Sequence, residues 1–299
     1  MTGAAARGLV LHRSGVLIAM PPAVAALALL DPAPAWQLAL LAPLVALLGV
    51  PHGALDHRLA TAFWPLERPA AHVNFLAVYT ALAAAVLGLW MLAPGAALAM
   101  FLIYSGLHFA DDWRGELPPA ARTLAGLSVV AGPAVLHEAE VAAIFAHLAP
   151  EPAAGQVAAA LSVAGWGLLP LLAAVAVRAG RWRPRLALEL AVIVLAGLVL
   201  SPLVYFVLYF CGVHSPRHFL TASGALGLGP AGGAAAALPI TALTLAGAGM
   251  GTVALVASGL SAQTVTLTAV FVGLAALTVP HMLIVDRMLH GRGNPARAG

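Results

Sequence analysis

Six histidines in this chain stand where imidazole is costly, close to the ends of long apolar segments. They are His52 and His57 in GVPHGALDH, His108 in GLHFADDW, His214 and His218 in HSPRH, and His281 in VPHML. A polar ring carried into hydrocarbon is expensive and usually retained for function. Several such rings at one depth, in a chain with one cysteine, point to a metal held by nitrogen ligands. His214 and His218 are four residues apart, which on a helix puts both rings on one face, able to grip a single ion. Pro216 lies between them, so the expected geometry is a break, with Ser215 as N-cap and Pro216 as the first helical residue. His52 and His57 are five apart, about 140° around a helix, so one is expected to ligate and the other to support it. Pro51 and Gly53 let the backbone bend beside His52.

The neighbouring acids and the remaining histidines leave several roles open. Asp56 fits as the acceptor of a ligating imidazole's N–H, or as part of an interfacial cap with His57 and Arg58. Asp111 and Asp112 fall three and four residues after His108, positions from which either can orient that ring, face solvent or ligate. His281 follows Pro280 and suits a fifth ligand, a base, a substrate contact or plain packing. His12, His72, His137, His147 and His290 have no evident partner and read as interfacial. Aromatic side chains crowd the same motifs: Tyr104, Phe109, Trp113, Tyr205, Phe206, Tyr209, Phe210 and Phe219. Lipid-facing packing accounts for most such residues; an aromatic-lined tunnel reaching the metal is the functional alternative.

The elements that must position these rings are membrane spans. Of 299 residues, 62% are hydrophobic and 8% are charged, against about 25% charged in a soluble domain. Mean hydropathy is +0.98. Apolar runs of about 20 residues fall near 14–30, 36–57, 72–93, 96–112, 123–136, 156–177, 186–200, 202–218, 237–258 and 264–287. A single helix over 186–218 would be roughly 50 Å long, more than the ~30 Å hydrocarbon core, so Ser201-Pro202 is expected to split it. The fold class is therefore all-α, a polytopic transmembrane helical bundle of about 8–10 spans, with residues 1–299 forming one integral-membrane domain. The run from Ser14 to Leu30 reads as an uncleaved first span rather than a signal peptide.

Charge gives the expected orientation. The net charge is +3 and every basic residue is arginine. The arginines fall at the N-terminus, 58–71, 113–122, 178–185, the C-terminus and span ends such as Arg217 and Arg287. The opposite connections carry Asp31, Glu138, Glu140 and Glu151. That asymmetry puts the N-terminus and the histidine cluster near the cytoplasmic side of a cell inner membrane. It also explains the basic balance without a nucleic acid partner. No Walker loop, Rossmann fingerprint, GxSxG or CxxC motif is present, so nucleotide, triad and iron–sulfur chemistry have no support.

PHGALDH, GLHFADD, HSPRH and the Pro280-His281 pair, in this order along most of the chain, resemble the Brp/Blh family of membrane β-carotene 15,15′-dioxygenases. The resemblance implies an iron-dependent carotenoid dioxygenase that splits the central double bond of β-carotene with O2 to give two retinal molecules. It implies Fe(2+) as cofactor, with His52, His108, His214 and His218 as catalytic metal ligands. Four such ligands would leave two of six octahedral positions open. Asp56, His57, Asp111 or Asp112 would orient imidazoles, and His281, Phe109 and Tyr209 would support the centre or touch substrate. The lipid bilayer would deliver β-carotene, and the product implies a functional link to a retinal-binding rhodopsin. Three other classes fit the residues alone. A di-iron hydroxylase or desaturase would need about eight histidines; a transporter or proton channel would use the rings as a relay. A pigment-binding protein would hold carotenoid without cleaving it.

Overall fold

Prolines set many of the helix boundaries. The computed structural model describes residues 3–61 and 68–290, and within them the chain is helical almost throughout. Pro34, Pro69, Pro94, Pro119, Pro184, Pro202 and Pro230 each stand as the first residue of a helix. That position has no use for a backbone N–H and favours the φ a pyrrolidine ring imposes. The helices are α1 (Gly3–Leu30), α2 (Pro34–Leu44), α3 (Asp56–Thr61), α4 (Pro69–Leu92), α5 (Pro94–Phe109), α6 (Pro119–Phe145) and α7 (Ala153–Gly180). They continue with α8 (Pro184–Val199), α9 (Pro202–Tyr209), α10 (Ser215–Ala225), α11 (Pro230–Ala257), α12 (Ala262–Leu267) and α13 (Gly273–His290). The expected break at Ser201-Pro202 is present: Leu200 and Ser201 are extended, and α9 starts at Pro202.

Among the described residues, seven helical runs are long and apolar enough to cross a membrane. These are 6–30, 34–61, 70–92, 119–145, 153–180, 230–257 and 262–285. All ten hydropathy segments have a helical counterpart, but three do not qualify by themselves. Helices α5 and α8 have 16 residues each, about 24 Å of rise, and the run from α9 to α10 carries the polar HSPRH. Large side chains such as Leu29, Leu92 and Met91 are more than four-fifths exposed, a surface that only lipid covers without penalty. The chain is a multi-pass membrane protein. Residues 62–67 and 291–299 and the Arg287 side chain, expected on the arginine-rich side, lie outside the described residues.

Three π-turns interrupt the regular helices, at Val45–Gly49, Phe210–His214 and Thr268–Val272. Single π-turns within helices often mark functional sites, because the extra residue rotates the next turn onto another face. The first two touch: a Cβ on Gly49 would lie 2.6 Å from the Phe210 ring, so only glycine permits this approach. A second close approach joins α5 and α6, where a Cβ on Gly126 would fall 2.1 Å from the Gly106 carbonyl oxygen. Small residues of this kind let membrane helices pack backbone to backbone, here just before His108. The buried apolar side chains form two separate clusters. The larger joins α1, α2 and α5–α9; the smaller joins the Ala54–Leu55 turn, α3, α10, α11 and α13.

Candidate metal centre

Five of the six motif histidines meet in one place. His52 sits on the 3₁₀ turn after the first π-turn, His108 in the last turn of α5, and His214 at the end of the second π-turn. His218 lies in the first turn of α10 and His281 on α13 after Pro280. Their ring centroids are 4.6 Å apart for His108 and His214, 4.7 Å for His108 and His218, and 4.7 Å for His214 and His218. His281 lies 5.1 Å from both His52 and His108. Two triads, His52–His108–His281 and His108–His214–His218, have ligand atoms within 4.8 Å of one another. His108, His214 and His281 are buried.

The chain is helical straight through HSPRH, contrary to the expected break. Ser215 does not cap α10; His214, with helical backbone angles, precedes it, and the Gly212 carbonyl, four residues before Pro216, bonds His12 Nε2 at 2.9 Å. Ser215 instead stands between segments, its Oγ 3.2 Å from His52 Nδ1 and donating to the Gly49 carbonyl at 3.4 Å. His52 Nδ1 also donates to the Gly49 carbonyl.

The acids sort differently from their sequence spacing. Asp112 does not orient His108. Its Oδ2 accepts from His214 Nδ1 at 3.2 Å and from the Tyr209 hydroxyl at 2.5 Å. Among the described residues Asp111 reaches no imidazole; its Oδ1 accepts from Arg114 at 3.0 Å and Arg122 at 2.8 Å. Asp56 orients neither His52 nor His57. It accepts from His281 Nδ1 at 2.8 and 3.0 Å on its two oxygens, and from the Tyr79 hydroxyl at 3.0 Å. His57 is outside the cluster, its Nδ1 donating to the Ala54 carbonyl of its own turn at 3.2 Å. Phe109 packs on His214, with centroids 4.7 Å apart, and on Tyr209 at 5.2 Å.

These contacts set tautomers. An imidazole that donates from Nδ1 to a carbonyl or carboxylate presents the Nε2 lone pair on its other side. His52, His214 and His281 are held this way. His214 Nε2 then faces His108 Nε2 at 3.1 Å. His281 Nε2 and His108 Nδ1 are buried without a hydrogen-bond partner among the described residues. Buried polar atoms are normally paired; an unpaired His281 Nε2 among four other imidazoles suits a cation. The donor set is nitrogen only, which fits a first-row transition ion better than magnesium or calcium.

An apolar cavity of about 360 Å³ opens on one side of the cluster. His52, His108 and His281 line it; His214 and His218 do not. Phe101 and Phe206 from the larger core cluster and Phe75 and Ile240 from the smaller line its walls, with Phe109 and Tyr209 beside the histidines.

Three features escaped the sequence reading. Arg217 is no span-end arginine facing solvent: it is buried and paired with Glu189 of α8, with N–O distances of 2.9 Å, and the Trp113 indole donates to the same carboxylate at 2.9 Å. Glu189, an acid inside an apolar span, was the available signal. Tyr79 gave no signal. His12, His137 and His147, read as solitary, bond to the Gly212 carbonyl, the Leu198 carbonyl and Thr264 Oγ1, tying distant segments together.

A family model described as Beta-carotene 15,15'-dioxygenase matches residues 43–289, which includes all five clustered histidines. A curated relative, "Beta-carotene 15,15'-dioxygenase" of Uncultured marine bacterium 66A03, is 30% identical over 260 residues, covering 81% of this chain and 90% of the relative. No solved structure matches the chain.

Proposed function

The chain belongs to the beta-carotene 15,15'-dioxygenase family, a family of oxidoreductases, and from that premise we propose that it cleaves β-carotene at the central double bond. O2 contributes one oxygen atom to each of the two central carbons, giving two molecules of retinal. The observation that carries the reading is the position of the histidine cluster in the wall of an apolar, aromatic-lined cavity. A polyene offers such a cavity nothing but apolar surface, so burial alone binds it. His52, His108, His214 and His218 are the proposed iron ligands. Fe(II), when bound, supplies the activation of O2 that a closed-shell protein side chain cannot.

The chain's own groups hold and shield this centre. Asp112 keeps the His214 proton on Nδ1, and the Gly49 carbonyl does the same for His52, so both rings present Nε2 lone pairs. Tyr209 donates to Asp112 while its ring lines the cavity, coupling substrate position to ligand position. The Arg217–Glu189 pair anchors the helix turn that carries His214 and His218. The arginine asymmetry supports an inner-membrane location with the cluster toward the cytoplasmic side. Retinal released there suits uptake by a retinal-binding rhodopsin.

Expression in β-carotene-producing cells tests the proposal. Orange colour should fade as retinal appears, and His→Ala changes at 52, 108, 214 and 218 should each restore colour. Retained carotene with well-expressed protein, or full cleavage by His214→Ala, would refute it.

A further inference from the structure

The four-ligand set leaves His281 unexplained. This ring is buried, its Nδ1 is committed to Asp56, and its Nε2 is without a partner among the described residues. Asp56 is itself pinned by the Tyr79 hydroxyl. A proline-flanked histidine on α13 is thus held by a carboxylate that is held by a tyrosine, with one lone pair left free beside His52 and His108. That arrangement is the one by which proteins fix a metal-ligating imidazole.

The spacing of the rings puts His281 among the other four. A ligating nitrogen lies about 2.1 Å from such an ion, and an imidazole centroid about 1.1 Å further out. In an octahedral shell, neighbouring centroids are then about 4.5 Å apart and opposite ones about 6.4 Å. His52 and His108 are 6.5 Å apart with rings only 27° from parallel, the separation of an opposite pair. His108, His214 and His218 are mutual neighbours at 4.6–4.7 Å. His281 is 5.1 Å from both His52 and His108 and 5.8 Å from His218. His214 and His281 make no ring contact with each other among the described residues. The cavity meets His52, His108 and His281 and misses His214 and His218, so His281 stands on the cavity side of the cluster.

We propose that His281 is a fifth imidazole ligand of the same ion, on the side of the cluster that meets the cavity. This rests on the iron-centre reading above and changes it in one respect: one octahedral position, not two, is available to O2.

The test uses the full-length protein purified in detergent under anaerobic conditions. Fe(II) affinity is measured by chelator competition, and coordination by the visible spectrum of the Co(II)-substituted protein, whose bands strengthen as coordination number falls. His281→Ala should lower Fe(II) affinity at least 100-fold and intensify the cobalt bands. Millimolar imidazole added to His281→Gly should restore the wild-type spectrum, which a merely structural role would not permit. If the alanine and glycine variants fail to fold, Asp56→Asn carries the test, with an expected loss of about 10–100-fold in affinity. Wild-type affinity and spectrum in His281→Ala, or in Asp56→Asn where that variant decides, overturn the inference. If His214→Ala is metal-free in the same experiment, the iron centre itself stands. A wild-type protein that binds neither ion overturns both readings.

Discussion

Asp112→Asn separates the two adjacent aspartates by function. Asp112 is 4% exposed and receives two hydrogen bonds on Oδ2, from His214 Nδ1 and from Tyr209. An asparagine has the same shape but no charge, and it presents one acceptor where the carboxylate presents two. Losing the charge from a buried hydrogen bond costs about 1.5–3 kcal/mol. Spread over the equilibrium between metal-bound and metal-free protein, that is about 10–100-fold in Fe(II) affinity. Asp111→Asn breaks only contacts to Arg114 and Arg122, whose side chains are 33% and 19% exposed; such pairs are worth about 0–1 kcal/mol. Chelator competition on the purified proteins should place Asp112→Asn one to two decades below the wild type and leave Asp111→Asn beside it. Retinal formation at limiting iron should follow the same order, and excess Fe(II) should partly rescue Asp112→Asn. Equal affinities for the two variants would refute the claim that the partner across 102 residues, not the spacing along α5, decides which acid serves the metal.

Other changes probe the frame around the site. Glu189→Ala strands Arg217 in the interior and should cost about 3–5 kcal/mol, seen as a lower thermal transition in detergent, whereas Glu189→Gln with Arg217→Met should recover most of it. Gly126→Ala forces α5 and α6 apart against a 2.1 Å contact and should cost about 1–3 kcal/mol, again read by thermal unfolding, with retinal yield falling as His108 shifts. Leu76 of α4 and Leu243 of α11 line the cavity yet are 49% and 68% exposed, which marks a lateral mouth toward lipid. Tryptophan at either should raise KM for β-carotene with iron content unchanged, while Leu171→Trp, exposed but away from the cavity, should leave KM alone. His57→Ala should keep iron, because that ring lies outside the cluster and its Nδ1 bonds its own turn.

The membrane class, the helical content and the residues worth suspecting follow from composition and local pattern, which act over one span or one turn. Low charge and long apolar runs demand a bilayer and, with it, helices, since every backbone group must be satisfied internally. HSPRH and PHGALDH announce metal chemistry because four- and five-residue spacings are legible on any helix. Partnership across the bundle is a different matter. That Asp56 serves His281, 225 residues away, that Asp112 serves His214, and that Glu189 neutralises Arg217 depend on how helices pack. Periodicity carries no information over such distances. The π-turns before His52 and through His214 decide it further, because one extra residue per turn swings a ring to another face. The sequence by itself thus determined which side chains could bind a metal in a membrane; only the tertiary packing decided which of them meet, and which acid holds which ring.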